Sequence, residues 1–204
     1  MKKFILSICL TVLLMPVFAG GIRAGQTYVS AFGGAVAPSA SYNHQPADAD
    51  EYLDYGDEGP SYGMQIMHFL TPHFGIGAEV NGTNYLNADY QGQVYHYVSK
   101  AERYSLFIAG RINFNPEGKT RFYIPLGAGY NHFKGTIKIG EEEGAQSCNE
   151  PAAYGGLGAE TDINDTFVFG AEGRYNVFWI DRDKYYHTKN LSDIAFLVKF
   201  GIKF

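Results

Sequence analysis

The sequence predicts an all-β fold: an eight-stranded, antiparallel, up-and-down transmembrane β-barrel. Three observations lead there. Eight segments alternate apolar and polar residues over 11 to 15 positions. A tilted strand needs about 9–11 residues to cross a bilayer, whereas strands of soluble sheets average about 5–6. In the last six segments the apolar face carries no Asp, Glu, Lys or Arg, while the opposite face collects charges of both signs. The connections alternate between short and long, as barrel turns and loops do on the two sides of an outer membrane.

The chain of 204 residues is 46% hydrophobic and contains 25 Gly, 16 Tyr and 15 Phe. That richness in aromatics excludes a disordered chain. Two Cys exclude a disulfide scaffold. The net charge of −5 gives no basic face for nucleic acid. No run of 18 or more apolar residues offers a spanning helix.

The first element is an address. Met1, Lys2 and Lys3 precede a mostly apolar stretch from Phe4 to Phe18, ending in Val17, Phe18 and Ala19. This reads as a signal peptide over residues 1–19, cleaved after Ala19, which leaves a barrel domain over residues 20–204. Cleavage also removes Cys9, so Cys148 has no internal disulfide partner and reads as a loop thiol.

The strands follow at about 26–36, 60–70, 74–85, 100–114, 120–134, 153–163, 166–180 and 191–204. The phase of the first two is left open. The third sets Phe74, Ile76, Ala78 and Val80 against Gly75, Gly77, Glu79 and Asn81. The fourth sets Leu106, Ile108, Ile112 and Phe114 against Ser105, Ala109, Arg111 and Asn113. The fifth opposes Phe122, Ile124, Leu126, Ala128 and Tyr130 to Arg121, Tyr123, Gly127, Gly129 and Asn131. The sixth opposes Leu157, Ala159 and Ile163 to Glu160 and Asp162. The seventh places Phe167, Phe169, Ala171, Tyr175, Val177 and Trp179 outward, with Val168, Gly170, Glu172, Arg174 and Asn176 inward. The eighth places Ile194, Phe196, Val198, Phe200, Ile202 and Phe204 outward, with Ala195, Leu197, Lys199, Gly201 and Lys203 inward. A soluble barrel would bury the apolar faces instead. Six of them would then crowd one small interior, beneath an outside rich in Gly. Lipid outside and charge inside satisfies both faces.

The short connections are Thr71 to His73, Asn115 to Lys119, and Asn164 with Asp165. The long ones are about 37–59, 86–99, 135–152 and 181–190. An even strand count puts both termini on the short-turn side, in the periplasm. Phe74, Phe114, Phe122, Phe167 and Phe204 fall near that side; Tyr104, Tyr130, Tyr175 and Trp179 fall near the other. Two aromatic girdles are the anchoring pattern of such barrels.

With its signal peptide, its Gly-rich alternating strands such as Phe122 to Tyr130, and its end from Phe196 to Phe204, the chain resembles the small outer-membrane β-barrel family. That group contains the OmpA transmembrane domain and the OmpX/Ail proteins. The resemblance implies a bacterial outer-membrane location, in contact with lipid and lipopolysaccharide. Phe196, Val198, Phe200, Ile202 and Phe204 are similar to the terminal signal read by the barrel-assembly machinery. The peptidoglycan-binding domain of full-length OmpA has no counterpart here, so that role is not implied.

The candidate sites are two. Glu79, Arg111, Glu160, Glu172, Arg174 and Lys199 form an expected interior charge network, with Arg111 set to meet Glu79 on the adjacent strand. Buried charges must be paired or wetted, so the network reads as a plug or as the gate of a narrow pore. The second is the acidic loop with Asp48, Asp50, Glu51, Asp54, Asp57 and Glu58 and no Lys or Arg. Together with Tyr42, Tyr52, Tyr55, Tyr62, Tyr90, Tyr95 and Tyr97, it suits an extracellular protein partner, or divalent-cation bridging to lipopolysaccharide phosphates. His44, His68, His73, His96, His132 and His187 show no metal spacing. None is followed by the Ser that outer-membrane lipid A deacylases use at the second position. The expectation is therefore no enzyme, no cofactor and no metal. The function expected is structural or adhesive, with a narrow channel and a lipid-modifying enzyme as the alternatives.

Overall fold

A computed structural model describes residues 21–38, 58–91, 96–139, 142–179 and 191–204. Its strands are β1 (Thr27–Pro38), β2 (Gly59–Thr71), β3 (Phe74–Gln91), β4 (His96–Asn113), β5 (Thr120–Ile139), β6 (Glu142–Asp162), β7 (Phe167–Phe178) and β8 (Leu191–Lys203). They close into one barrel in sequence order, every pair antiparallel, with β1 pairing β8. Closure leaves no strand edge unpaired, which a chain in lipid requires.

Each strand alternates between an exposed and a buried face. On β8, Ile194, Phe196, Val198 and Phe200 are exposed while Asp193, Ala195, Leu197 and Lys199 are buried. On β7, Phe167, Phe169 and Tyr175 are exposed while Glu172 and Arg174 are buried. Leu106, Ile108, Leu157 and Phe196 are each 61–69% exposed. A belt of large apolar side chains around the outside is the surface a bilayer covers. Tyr104, Tyr130, Tyr175 and Trp179 are exposed at the long-loop end, and Phe74, Phe114, Phe122, Phe167 and Phe204 at the other.

Two expected loops are mostly strand. β3 and β4 continue pairing to Gln91 and His96, and β5 and β6 to Ile139 and Glu142. The segments near 86–99 and 135–152 are therefore hairpin extensions, in which Tyr90 pairs Tyr97 and Lys138 pairs Glu143. Past the lipid a strand need not keep one face apolar, so its sequence loses the alternation that marks it. Cys148 lies in β6 opposite Phe133, not in a loop. The loop at 39–57 lies outside the described residues, and with it Asp48, Asp50, Glu51, Asp54 and Asp57.

Before β1, residues 21–26 cross the short-turn mouth. Ile22 N–H donates to Pro116 O at 2.8 Å, and Gly25 N–H donates to Phe69 O at 2.7 Å. Gly25 turns the chain with φ +82°, a region that glycine enters freely. The turn drops Ile22 into an apolar cluster with Tyr28, Met67, Phe69, Ala109 and Val168. These side chains form an apolar floor to that part of the interior.

Candidate functional site: the barrel interior

An eight-stranded barrel has an interior just wide enough for side chains to fill it. Here they fill it in layers above the apolar floor. The inward positions of β3 to β8 supply the charges, because the opposite positions face lipid.

The lower layer holds Arg121 at its centre. Arg121 Nε donates to Glu160 Oε1 at 3.0 Å, and its Nη1 donates to Asp162 Oδ2 at 2.8 Å. Lys203 Nζ reaches the same Asp162 oxygen at 3.0 Å. Arg111 donates from Nη1 to Glu160 Oε2 at 2.5 Å and from Nε to Asn113 Oδ1 at 2.6 Å. Three cations thus share two carboxylates.

The middle layer spans the barrel. Arg174, from β7, donates through both terminal nitrogens to Glu79 on β3, with Nη2 to Oε2 at 2.8 Å. Its Nε pairs with Glu172. Lys199 Nζ donates to Glu172 Oε2 at 3.0 Å and to Gln65 Oε1 at 2.9 Å. Gln65 Nε2 then donates to Glu79 Oε2 at 2.8 Å. Four side chains from β2, β3, β7 and β8 so close a polar ring around Arg174. Such charges are tolerable in low dielectric only when paired and hydrogen-bonded like this.

Two tyrosines brace the ring, and two glycines make room for them. Tyr123 Oη donates to Glu172 Oε2 at 3.0 Å, and its ring lies 3.7 Å beneath the Arg111 guanidinium carbon. Tyr154 Oη donates to Glu79 Oε2 at 3.2 Å, and Arg174 stacks 4.2 Å over its ring. A Cβ on Gly158 would stand 2.2 Å from Tyr123, and one on Gly127 would stand 2.1 Å from Tyr154. Each tyrosine therefore lies flat across its partner strand, where only glycine lets it pass.

The upper layer pairs Arg103 with Asp193, and Arg103 also donates to Tyr85 Oη at 2.7 Å. Asn176 donates to Asp193 as well. Phe107, Ala152, Tyr154 and Phe178 pack between this layer and the middle one.

Six expected network residues, Glu79, Arg111, Glu160, Glu172, Arg174 and Lys199, all lie buried inside. The expected pair of Arg111 with Glu79 does not form: Arg111 binds Glu160, and Glu79 binds Arg174. Arg103, Asp193, Gln65 and Tyr154 went unnamed in the sequence reading. Their inward parity was the available signal, since Arg103 shares a phase with Arg111, and Asp193 with Lys199. The C-terminal residues Phe196, Val198, Phe200 and Phe204 face outward, and Ile202 is partly covered. Glu58 is exposed just before β2.

Among the described residues no group of three or more His, Cys, Asp or Glu gathers as a metal site. His68, His73 and His132 sit at the barrel ends, bound to Thr27 Oγ1, Asn113 O and Asn149 Oδ1 at 3.0, 2.9 and 2.8 Å. Between the lower and middle layers lies a cavity of about 20 Å³.

The sequence matches the family described as "Outer membrane protein beta-barrel domain" over residues 5–204. Among curated proteins, none matches. Solved structures do. The outer membrane protein OprG from Pseudomonas aeruginosa is 15% identical with a TM-score of 0.61, covering 90% of this chain and 98% of its own. Ail, the attachment invasion locus protein of Yersinia pestis, is 14% identical with a TM-score of 0.56, covering 89% and 100%. Ail is also solved in complex with the heparin analogue sucrose octasulfate. Neisserial surface protein A is 16% identical with a TM-score of 0.55, covering 88% and 99%. At such identities the likeness is one of fold.

Proposed function

The chain belongs to the outer membrane protein β-barrel family, and from that premise we propose that it is a closed scaffold acting through its long-loop end. The observation that carries this reading is Arg174. It is 3% exposed and is clamped between Glu79 and Glu172 across the middle of the barrel. Beneath it lie the buried ion pairs of Arg111 and Arg121 with Glu160 and the apolar cluster around Ile22. A solute would have to break several buried charge-assisted hydrogen bonds to pass.

In this reading both termini and the short turns face the periplasm. Residues 1–19 are removed on export, and Phe196, Val198, Phe200, Ile202 and Phe204 present the assembly signal. The partners are then lipopolysaccharide and an extracellular protein, met by the segment at 37–59. That segment has six acidic residues and no Lys or Arg. Ail binds a sulfated polyanion; an acidic loop would repel one and attract a basic surface or bridging divalent cations. Structural or adhesive work of this kind needs no catalytic group.

A narrow gated channel is the second reading. It is favoured by the polar residues that climb the interior from Lys203 to Asp193. Single-channel recording of the purified barrel, beside an Arg174→Ala variant, separates the two. A scaffold gives no steady conductance in either protein. Steady conductance that the substitution widens would make the clamp a gate and overturn the scaffold reading.

A further inference from the structure

We infer that the cavity between the lower and middle charge layers is a binding site for one ordered water molecule, which joins the two layers. The cavity is about 20 Å³, and a void needs about 10–15 Å³ to hold one water. Its lining includes Tyr28, Ser30, Gln65, Arg111, Glu160 and Lys199. An apolar void stays dry, whereas a polar one takes a water that finds two to four partners.

The lining holds those partners. Among the described residues, Tyr28 Oη and Arg111 Nη2 are buried and make no hydrogen bond. Tyr28 is 5% exposed and Arg111 4%. Arg111 spends Nε on Asn113 and Nη1 on Glu160, so Nη2 remains to donate. An ammonium has three protons, and Lys199 directs two of them to Gln65 and Glu172. Glu160 receives Arg111 on one oxygen and Arg121 on the other, and each carboxylate oxygen has a second lone pair. The water accepts from Arg111 Nη2 and from the third Lys199 proton. It donates to Glu160 and to Tyr28 Oη.

The charges of the lining favour a neutral occupant. A bare cation would sit against Arg111 and Lys199. A bare anion would sit against Glu160 and could not donate to its open lone pairs. A molecule that both donates and accepts meets every one of these groups. The inference deepens the scaffold reading and rests on the interior part of it. Arg111 and Glu160 belong to the lower layer and Lys199 to the middle one, so a molecule bonded to all three makes the layers one network. A single trapped molecule is part of the packing and not a solvent path. The site stands on the cavity and owes nothing to the loops, so it can fail while the scaffold reading holds.

The test begins with a crystal of the barrel grown in bromide, with data collected at the bromine edge. One water-like peak is expected within hydrogen-bonding reach of Tyr28 Oη and Arg111 Nη2, without anomalous signal. An anomalous peak there, or no density at all, would overturn the site. A second measurement works in solution. Oxygen-17 relaxation dispersion of water counts the long-lived internal molecules of the refolded barrel. Gly201 lines the cavity, and a Cβ on it would stand 3.3 Å from Ser30 Cβ. Gly201→Ala therefore sets a methyl in the water's place at the cost of a small adjustment, and the count should drop by one. Tyr28→Phe leaves the room and removes one partner. The water should stay and exchange about fivefold faster, the worth of one hydrogen bond. An unchanged count in folded Gly201→Ala, or an unchanged exchange rate in Tyr28→Phe, would refute the proposal.

Discussion

The clamp on Arg174 offers the sharpest test of a dry, paired interior. Glu79 accepts from two Arg174 nitrogens, from Gln65 at 2.8 Å, from Tyr154 at 3.2 Å and from Asn81 at 3.2 Å. It is 1% exposed. Glu79→Gln keeps the shape and removes the charge, so Arg174 is left with Glu172 alone. Breaking a buried pair in this way costs about 3–5 kcal/mol, because the remaining ion stays desolvated. Arg174→Met should cost a similar amount, since it strands Glu79 among neutral donors. The double variant removes both charges together. Its cost should fall short of the sum by about 2–3 kcal/mol, at the upper end of measured couplings between contacting residues. Reversible urea unfolding in lipid vesicles gives the four free energies. The single Trp, Trp179, is exposed at the end of the lipid-facing surface and reports the transition. Strict additivity would mean that the two side chains do not meet. A cost for Glu79→Gln below about 1 kcal/mol is what a solvated surface pair would show, and it would mean that water fills the interior.

Other substitutions probe the supports of the same network. Gly158→Val should push Tyr123 off Glu172 and from beneath Arg111, costing about 1–3 kcal/mol through overpacking, read in the same urea titration. Ile22→Asp should unseat residues 21–26 and leave the barrel closed. Hydrogen exchange would then speed at the Gly25 amide, which now donates to Phe69 O, and stay slow on β4 and β5. Phe204→Ala should lower the amount of barrel in the outer membrane while leaving the stability of the refolded protein within about 0.5 kcal/mol, since Phe204 is 73% exposed. A stability loss as large as the assembly loss would remove the case for a recognition signal there.

The inward and outward faces of β3 to β8 were readable because lipid and interior impose opposite rules. A charge such as Glu172 or Lys199 has one tolerable side, and a Phe such as Phe169 or Phe196 is wanted on the other. β1 and β2 hid their phase because both of their faces are apolar. Phe32, Val36, Met67 and Phe69 point inward, while Tyr62, Met64, Ile66 and Leu70 point outward. Their inward residues build the floor and one wall of the interior, where packing against Ile22 and Leu197 replaces charge. No alternation of hydrophobicity can show that.

The partners of the interior charges were hidden for a different reason. Which side chains meet depends on register, and a tight turn sets register while a long connection does not. β3 and β4 are joined across the long-loop side, so their pairing could slide in any reading of the sequence. In the structure Glu79 lies opposite Phe107, while Arg111 lies opposite Gly75. The two are offset by four positions, about 13 Å along the strand at 3.3 Å per residue. That separation removes Arg111 from the reach of Glu79, although both face inward on neighbouring strands. Arg174 reaches Glu79 from β7, halfway round a ring of eight strands and 95 residues away in sequence. Strand tilt brings them to one height, and the glycines at 127 and 158 let Tyr154 and Tyr123 lie low enough for Arg174 to cross. Face parity therefore decides which residues are inside, and only the closed, tilted barrel decides which of them are partners.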